Sequence, residues 1–170
     1  MDFDTQQNRE CLINFFPNLG SDDKFKVNSP LTDVYNCIAF AMGLTDRWVD
    51  IFAYPGHWWP PINERSEDKD SLVKAFEYMG FEICDDADVE DGYDKVVLFC
   101  KDEKWTHAAR IVANGVEHSK FGKGWDAFHG GNNIFHGSDY GDEYAYLKRS
   151  VAKRDMSAKL TSCIGKIRVA

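Results

Sequence analysis

Two residues, Cys37 and His107, are of the types that together form a nucleophile and its base. Cys37 follows Asn36 and opens the run Cys-Ile-Ala-Phe-Ala-Met-Gly, whose apolar residues recur at helical spacing. A thiol in the first turn of a helix lies near the positive end of the helix dipole, which favours the thiolate. An imidazole can take the thiol proton, so that the sulfur attacks a carbonyl carbon. The pair predicts hydrolysis or acyl transfer at an amide bond of a peptide, an isopeptide or a glutamine side chain.

The same residues have a second interpretation. Free cysteine is among the most buried residue types, and a strand histidine usually hydrogen-bonds to backbone. The alternative hypothesis is therefore a catalytically inactive binding or immunity-type module in which Cys37 is buried and inert. The formal net charge of −8 suits such an acidic module.

The elements that must position the pair can be read from periodicity and turn signals. Residues 67–79 have helical spacing, and residues 96–100 form the continuous apolar run typical of a strand buried on both faces. Residues 105–112 and 116–120 predict two further strands, joined by the hairpin signal Asn114-Gly115. A helix packed on this antiparallel sheet gives an α+β fold. The glycine-rich stretch after residue 120 predicts irregular structure.

The hairpin also suggests what orients His107. Reflecting His107 through the turn lands near Ser119 to Phe121 on the next strand, and Ser119 is the polar choice there. Ser119 and, in the loop beyond, His129 are the two candidates for this third role. We expect His107 to point from the sheet toward the start of the helix at Cys37, and the alternation of a regular strand would put Trp105 and Ala109 on the same sheet face.

Three more residues are candidates for substrate contacts. Asn36 either helps to bind the oxyanion or caps the helix that starts at Cys37. Trp58 and Trp59 precede two prolines in a segment that should be extended. They either wall a substrate cleft or cover an edge of the core.

Composition limits the classes of partner. Net charge −8 argues against a nucleic-acid binder, and the apolar runs are too short to span a membrane. The five cysteines are odd in number and form no Cys-x-x-Cys pair, which indicates free thiols in a reducing compartment. The N-terminus lacks the pattern of a signal peptide, so we expect a cytoplasmic protein. We expect one domain over residues 1–170, with a core at 12–149 and an extension at 150–170.

The predicted chemistry needs no metal or organic cofactor. A weaker hypothesis is a metal site formed by His129, His136 and carboxylates of the glycine-rich region, namely Asp126, Asp139 and Asp142. The two histidines are seven residues apart, which is not a ligand spacing that preforms a site.

Several short motifs, taken in order, resemble known families. The run from Tyr35 to Ala41, Tyr-Asn-Cys-Ile-Ala-Phe-Ala, is similar to the cysteine-helix signature of papain-like proteins, in particular the transglutaminase-like pattern Gly-x-Cys-Trp-x-Phe/Tyr-Ala. The whole series resembles a family of uncharacterised bacterial proteins over roughly residues 12–149. The motifs are Tyr35 to Ala41, Trp58 to Pro60, Thr106 to Arg110, Ser119 to Gly122, His129, Tyr140-Gly141 and Tyr146 to Arg149. The resemblance implies a papain-like fold with Cys37 as nucleophile and His107 as base. Papain-like enzymes orient the histidine with Asn, Asp or His, so Ser119 in that place would be a departure.

Overall fold

The computed structural model describes residues 1–156, and most of the expected extension at 150–170 lies outside them. Within these residues a seven-stranded antiparallel sheet has the order β1-β8-β7-β6-β5-β9-β4. Its strands are β1 (Lys26–Val27), β4 (Glu82–Cys84), β5 (Tyr93–Lys101), β6 (Lys104–Ala113), β7 (Val116–Lys120), β8 (Asp126–Gly130) and β9 (Asp142–Ser150). A separate parallel pair consists of β2 (Trp48–Val49) and β3 (His57–Trp58).

The helices are α1 (Gln6–Phe15), α2 (Cys37–Met42) and α3 (Lys69–Tyr78), with a 3-10 turn at Pro17–Ser21. Helix α2 begins where the Asn36 side chain accepts a hydrogen bond from the Ala39 amide, and it ends at Gly43, whose φ of 89° is left-handed. The α+β class predicted from the sequence is confirmed, with the short cysteine-bearing helix packed against the sheet.

The sheet has an apolar cluster on each face because the residues of its central strands alternate. Val96, Leu98 and Ala108 lie on the face that carries α2 and α3. Their neighbours Val97, Phe99 and Ala109 lie on the other face, which α1 covers together with a group of aromatic side chains. This two-faced burial explains why β5 is a continuous run of apolar residues.

Strands β6 and β7 separate at one end. Their ladder joins Arg110 to His118 and continues toward the hairpin, whereas residues 104–109 of β6 pair with β5 and not with β7. Helix α2 packs on both β6 and β7. The separated end of the two strands is where the candidate site lies.

Two expectations about this sheet are wrong. The glycine-rich stretch is not all irregular, because residues 126–130 form β8 between β7 and β1. Trp105 does not share a face with His107, because a bulge pairs Phe99 with His107 but Cys100 with Trp105. The bulge turns Trp105 to the α2 face, where it stacks on Trp59. Ala109 does share the face of His107, as alternation predicts.

No helix within residues 1–156 is long and apolar enough to cross a membrane.

Candidate functional site

Cys37 is the first residue of α2 and is 8% exposed. The backbone N–H groups of Ala108, Ile38 and Cys37 itself lie near its sulfur and favour the thiolate. Burial raises the pKa of the thiol to about 11, although these N–H groups act in the opposite direction. In this closed arrangement the thiol is therefore protonated at neutral pH.

The candidates for the base and its orienting group form one hydrogen-bonded chain. Ser119 Oγ lies 2.9 Å from His107 Nε2 and 2.7 Å from His129 Nε2. All three residues are 0% exposed. The contact of Ser119 with His107 across the strands, expected from the hairpin, is confirmed, and His129 joins the same chain from β8.

The direction of each hydrogen bond follows from the last acceptor. His129 Nδ1 lies 2.8 Å from the carbonyl oxygen of Gly130, and a carbonyl can only accept, so Nδ1 carries the proton. Burial lowers the pKa of His129 to about 4, so its ring is neutral at pH 7 and Nε2 is an acceptor. Ser119 must then donate its single proton to His129. Its oxygen is left to accept a hydrogen bond from His107 Nε2–H.

Because Nε2 of His107 carries the proton that is donated to Ser119, Nδ1 of the neutral ring has no proton. Burial, and then the neighbouring His129, lower the pKa of His107 well below 6.5, so the ring is neutral with its one proton on Nε2. Nδ1 is a bare lone pair, buried and without a hydrogen-bond partner in the part of the chain that the structure describes. A buried imidazole nitrogen of this kind can accept a proton, and no hydrogen-bond donor of the described residues faces it.

An aromatic shell holds the His107 ring in place. Tyr140 stacks on it with ring centroids 3.9 Å apart and 8° between the planes, and Phe99 and Phe135 contact its edges. Tyr140 is held by a hydrogen bond from the Thr106 hydroxyl to its carbonyl oxygen. The next residue must be glycine, because a Cβ on Gly141 would lie 2.0 Å from the Cys100 carbonyl oxygen.

The thiol and the imidazole lie beside neighbouring residues of β6 but on opposite faces of the sheet. The expectation that His107 points toward the start of the helix at Cys37 is therefore wrong. Cys37 packs in the cluster on the α2 face, whereas His107 packs with the aromatic residues of the other face. Ala108, whose N–H reaches the Cys37 sulfur, is the residue after His107. No hydrogen bond joins Cys37 to the His107 ring among those of residues 1–156.

The proposed substrate contacts lie elsewhere or are already in use. Asn36 caps α2, and its side chain also exchanges hydrogen bonds with the backbone of Val49, at 2.9 and 3.1 Å. This favours the capping alternative. Trp58 and Trp59 are 7% and 5% exposed and belong to the core cluster beside α2, which favours their alternative as a cover of the core.

The metal hypothesis gains no support from the described residues, which contain no group of three or more His, Cys, Asp or Glu side chains that could hold an ion. His129 is fully buried in the hydrogen-bonded chain, whereas His136 is exposed and lies 2.6 Å from an Asp142 oxygen.

Sequence reasoning missed the residues that enclose His107. Tyr140, Phe121 and Phe135 come from three separate segments, and each contacts the ring. The Tyr140-Gly141 pair was available as a signal, since a glycine directly after an aromatic residue can mark a close approach of two backbones.

Among the comparisons with known proteins, one family model matches the chain. This model, described as a domain of unknown function (DUF7689), matches residues 26–148, which include α2, the hydrogen-bonded chain and Tyr140. No curated protein and no solved structure matches the chain. With most of its length matched by that model, the chain belongs to the DUF7689 family.

Proposed function

We propose that this protein is a papain-like cysteine hydrolase or acyl transferase with Cys37 as nucleophile and His107 as base. The observation that carries the proposal is the bare Nδ1 of His107, which is buried without a partner among residues 1–156 and belongs to the residue before Ala108, whose N–H lies near the Cys37 sulfur. A purely structural histidine would be expected to have both ring nitrogens satisfied.

The residues then have defined roles. Because the thiol and the ring do not touch in the closed arrangement, the two must first come together. The thiol proton then moves to His107 Nδ1, and the sulfur attacks the amide carbonyl carbon to form a tetrahedral oxyanion. The carbon–nitrogen bond breaks, and the imidazolium gives its proton to the departing amine. Water, or the amine of a second molecule, resolves the thioester. Ser119 and His129 are positioning residues, because they hold the Nε2 proton and so keep Nδ1 free.

The substrate class is an amide in a protein or peptide. An apolar groove of about 300 Å³ lies next to the aromatic shell and is formed by Leu12, Phe15, Phe16, Phe121, Trp125 and Tyr140. Phe121 and Tyr140 contact both this groove and the His107 ring. A substrate side chain in the groove would displace the ring of Tyr140, which opens the path to His107.

The rate of alkylation by iodoacetamide tests the pair. We would measure this rate for each cysteine by mass spectrometry, in the full chain and in the variant Tyr140→Ala. The substitution removes the ring that stacks on His107. We expect Cys37 of Tyr140→Ala to react faster at pH 7 than the exposed Cys11. Adding His107→Gln should slow Cys37 by roughly ten-fold or more, because the base is lost.

Cys84, a partly exposed thiol on the edge strand β4 and outside the apolar groove, provides the internal control, since its alkylation should be the same in all variants. The proposal fails if Cys37 reacts no faster than Cys11 in Tyr140→Ala and His107→Gln leaves its rate unchanged. Circular dichroism of each variant establishes that the fold is retained.

A second candidate function is a binding or immunity-type module. It is favoured by the burial of both groups and by the raised pKa of Cys37, about 11, in the closed arrangement. On this hypothesis Cys37→Ala keeps the biological activity. Loss of that activity in Cys37→Ala, at unchanged thermal stability, would eliminate the module hypothesis.

A further inference from the structure

Three arginines surround a cavity of about 460 Å³ at the C-terminal end of α2. Arg110 comes from β6, Arg149 from β9, and Arg154 lies beyond the end of β9. We call this cavity the arginine pocket. Such a concentration of cations is unexpected in a chain with a formal net charge of −8.

Arg110 is only partly committed to the fold. Its Nε donates a hydrogen bond of 2.7 Å to the Phe40 carbonyl oxygen, and its guanidinium lies 3.7 Å from the centroid of the Phe40 ring. These contacts fix the plane of the guanidinium. Its two terminal nitrogens have no hydrogen-bond acceptor among residues 1–156. The two terminal nitrogens of Arg110 are therefore held in a fixed orientation and are available to a ligand.

Arg149 is 2% exposed and is also incompletely satisfied. It donates to the carbonyl oxygens of Met79 and Met42, at 3.1 and 2.9 Å, which explains part of its position. Its Nε is buried and has no partner within the described part of the chain. A buried donor of a charged group without an acceptor is costly.

Acidic groups balance the pocket only in part. Asp94 lines it and lies 3.6 Å from Arg149 and 3.1 Å from Arg154. Asp155 lies 3.5 Å from Arg154, and two-thirds of its side chain is exposed to solvent. Burial, and then repulsion by Arg154 and Arg110, lower the pKa of Arg149 to about 10 even though Asp94 raises it. An anion in the pocket would relieve this repulsion.

We propose that the arginine pocket binds the phosphate group of a small phosphorylated molecule. Guanidinium groups bind phosphate through two parallel hydrogen bonds, and three of them suit an anion with several oxygens and nearly two charges. The volume falls in the range of small-molecule sites, which leaves room for the rest of the ligand beside the phosphate. The pocket is independent of the proposed cysteine chemistry, because Cys37 lies at the opposite end of α2.

Isothermal titration calorimetry on the full chain tests this site. The ligands are inorganic phosphate, pyrophosphate and, as the carboxylate arm, succinate, all at the same ionic strength. We expect both phosphates to bind and Arg154→Gln to weaken them by roughly ten-fold, the cost of one charged hydrogen-bonding partner. Arg154 is partly exposed, so its replacement should leave the fold intact. Arg65→Gln, at an exposed arginine remote from the pocket, is the matched control and should leave the affinity unchanged.

A second variant should change affinity in the opposite direction. Asp94→Asn removes the carboxylate that competes for two of the arginines, so phosphate should bind several-fold more tightly. The proposal is overturned if phosphate and pyrophosphate do not bind, or if Arg65→Gln weakens them as much as Arg154→Gln does. Tighter binding of succinate than of either phosphate would overturn the choice of ligand.

Discussion

Two buried polar residues, Ser119 and Lys120, lie next to each other on β7 but differ in how completely their hydrogen-bonded groups are paired. Lys120 is 0% exposed, and its ammonium donates to the carbonyl oxygens of Thr32, Gly122 and Gly124 at 2.9, 2.6 and 2.8 Å. An ammonium has three donors, so Lys120 is fully satisfied. Ser119 points to the other face and hydrogen-bonds to His107, whose other ring nitrogen has no partner in the described part of the chain.

The difference separates a structural polar group from a candidate functional one. Lys120 fastens two loops to the end of β7, and every contact it makes is internal to the chain. The chain of His107, Ser119 and His129 is equally buried but ends in a lone pair, which folding alone does not require. Substitutions on the two sides of β7 can break or sharpen this comparison.

The largest loss of stability should come from Lys120→Met. Methionine fills much of the space but removes the ammonium from three partly buried carbonyl oxygens, of which, among residues 1–156, only that of Gly124 keeps another donor, the Thr32 N–H. We expect the free energy of unfolding, measured in urea, to fall by about 4 kcal/mol. Lys123→Met, at an exposed lysine nearby, is the control and should change it by less than about 0.5 kcal/mol. Similar small changes in both variants would contradict the structural role of Lys120.

A gain of stability is expected from Glu117→Gln, on the same face of β7 as Ser119. Burial raises the pKa of Glu117 to about 9, and its Oε1 has no partner within residues 1–156. The folded state therefore keeps the carboxyl protonated while the unfolded chain ionises above pH 4.5. This costs stability progressively as pH rises from 4.5 to about 9.

Glutamine has no such cost, so the advantage of Glu117→Gln should grow over that range. At pH 8 we expect the variant to be more stable by about 2–3 kcal/mol, and at pH 4 by almost nothing. Thermal or urea unfolding at both pH values measures this, with the exposed Glu64→Gln as control. An advantage independent of pH would show that Glu117 is not protonated in the fold.

A smaller effect should follow from Ser119→Ala. The variant leaves the Nε2 atoms of His107 and His129 without their shared partner. We expect a loss of about 1–2 kcal/mol in the free energy of unfolding. If the proposed chemistry is right, alkylation of Cys37 in the Tyr140→Ala background should also slow by several-fold, because the His107 ring is no longer fixed in one tautomer. Ser21→Ala, at an exposed serine, should change neither quantity.

Much of this arrangement could be predicted from local sequence signals. The spacing of Ile38, Ala41 and Met42 predicts α2, and the Asn114-Gly115 turn brings the strand that carries Ser119 beside the strand of His107. A bulge between Ile111 and Ala113 then sets the final register. The helix and the hairpin both depend on contacts close in the chain, where periodicity and turn geometry act directly.

The rest depends on interactions that local patterns do not encode. The bulge at Phe99 and Cys100 shifts alternation by one residue and moves Trp105 to the other face. Strand β8 combines charged, apolar and glycine residues and is stabilised by pairing with β7 and with β1, about a hundred residues earlier in the chain. The arginine pocket joins β6 to the end of β9, so no short motif marks it.

The protonation of the His107 ring tests the central claim most directly. Heteronuclear NMR that correlates the ring protons with both nitrogens distinguishes a protonated from a bare nitrogen at each position. Between pH 6 and 8 we predict a neutral His107 with its proton on Nε2 and a bare Nδ1, while His129 carries its proton on Nδ1. A His107 ring that carries its proton on Nδ1, or that is charged in this range, would contradict the assignment of His107 as the base.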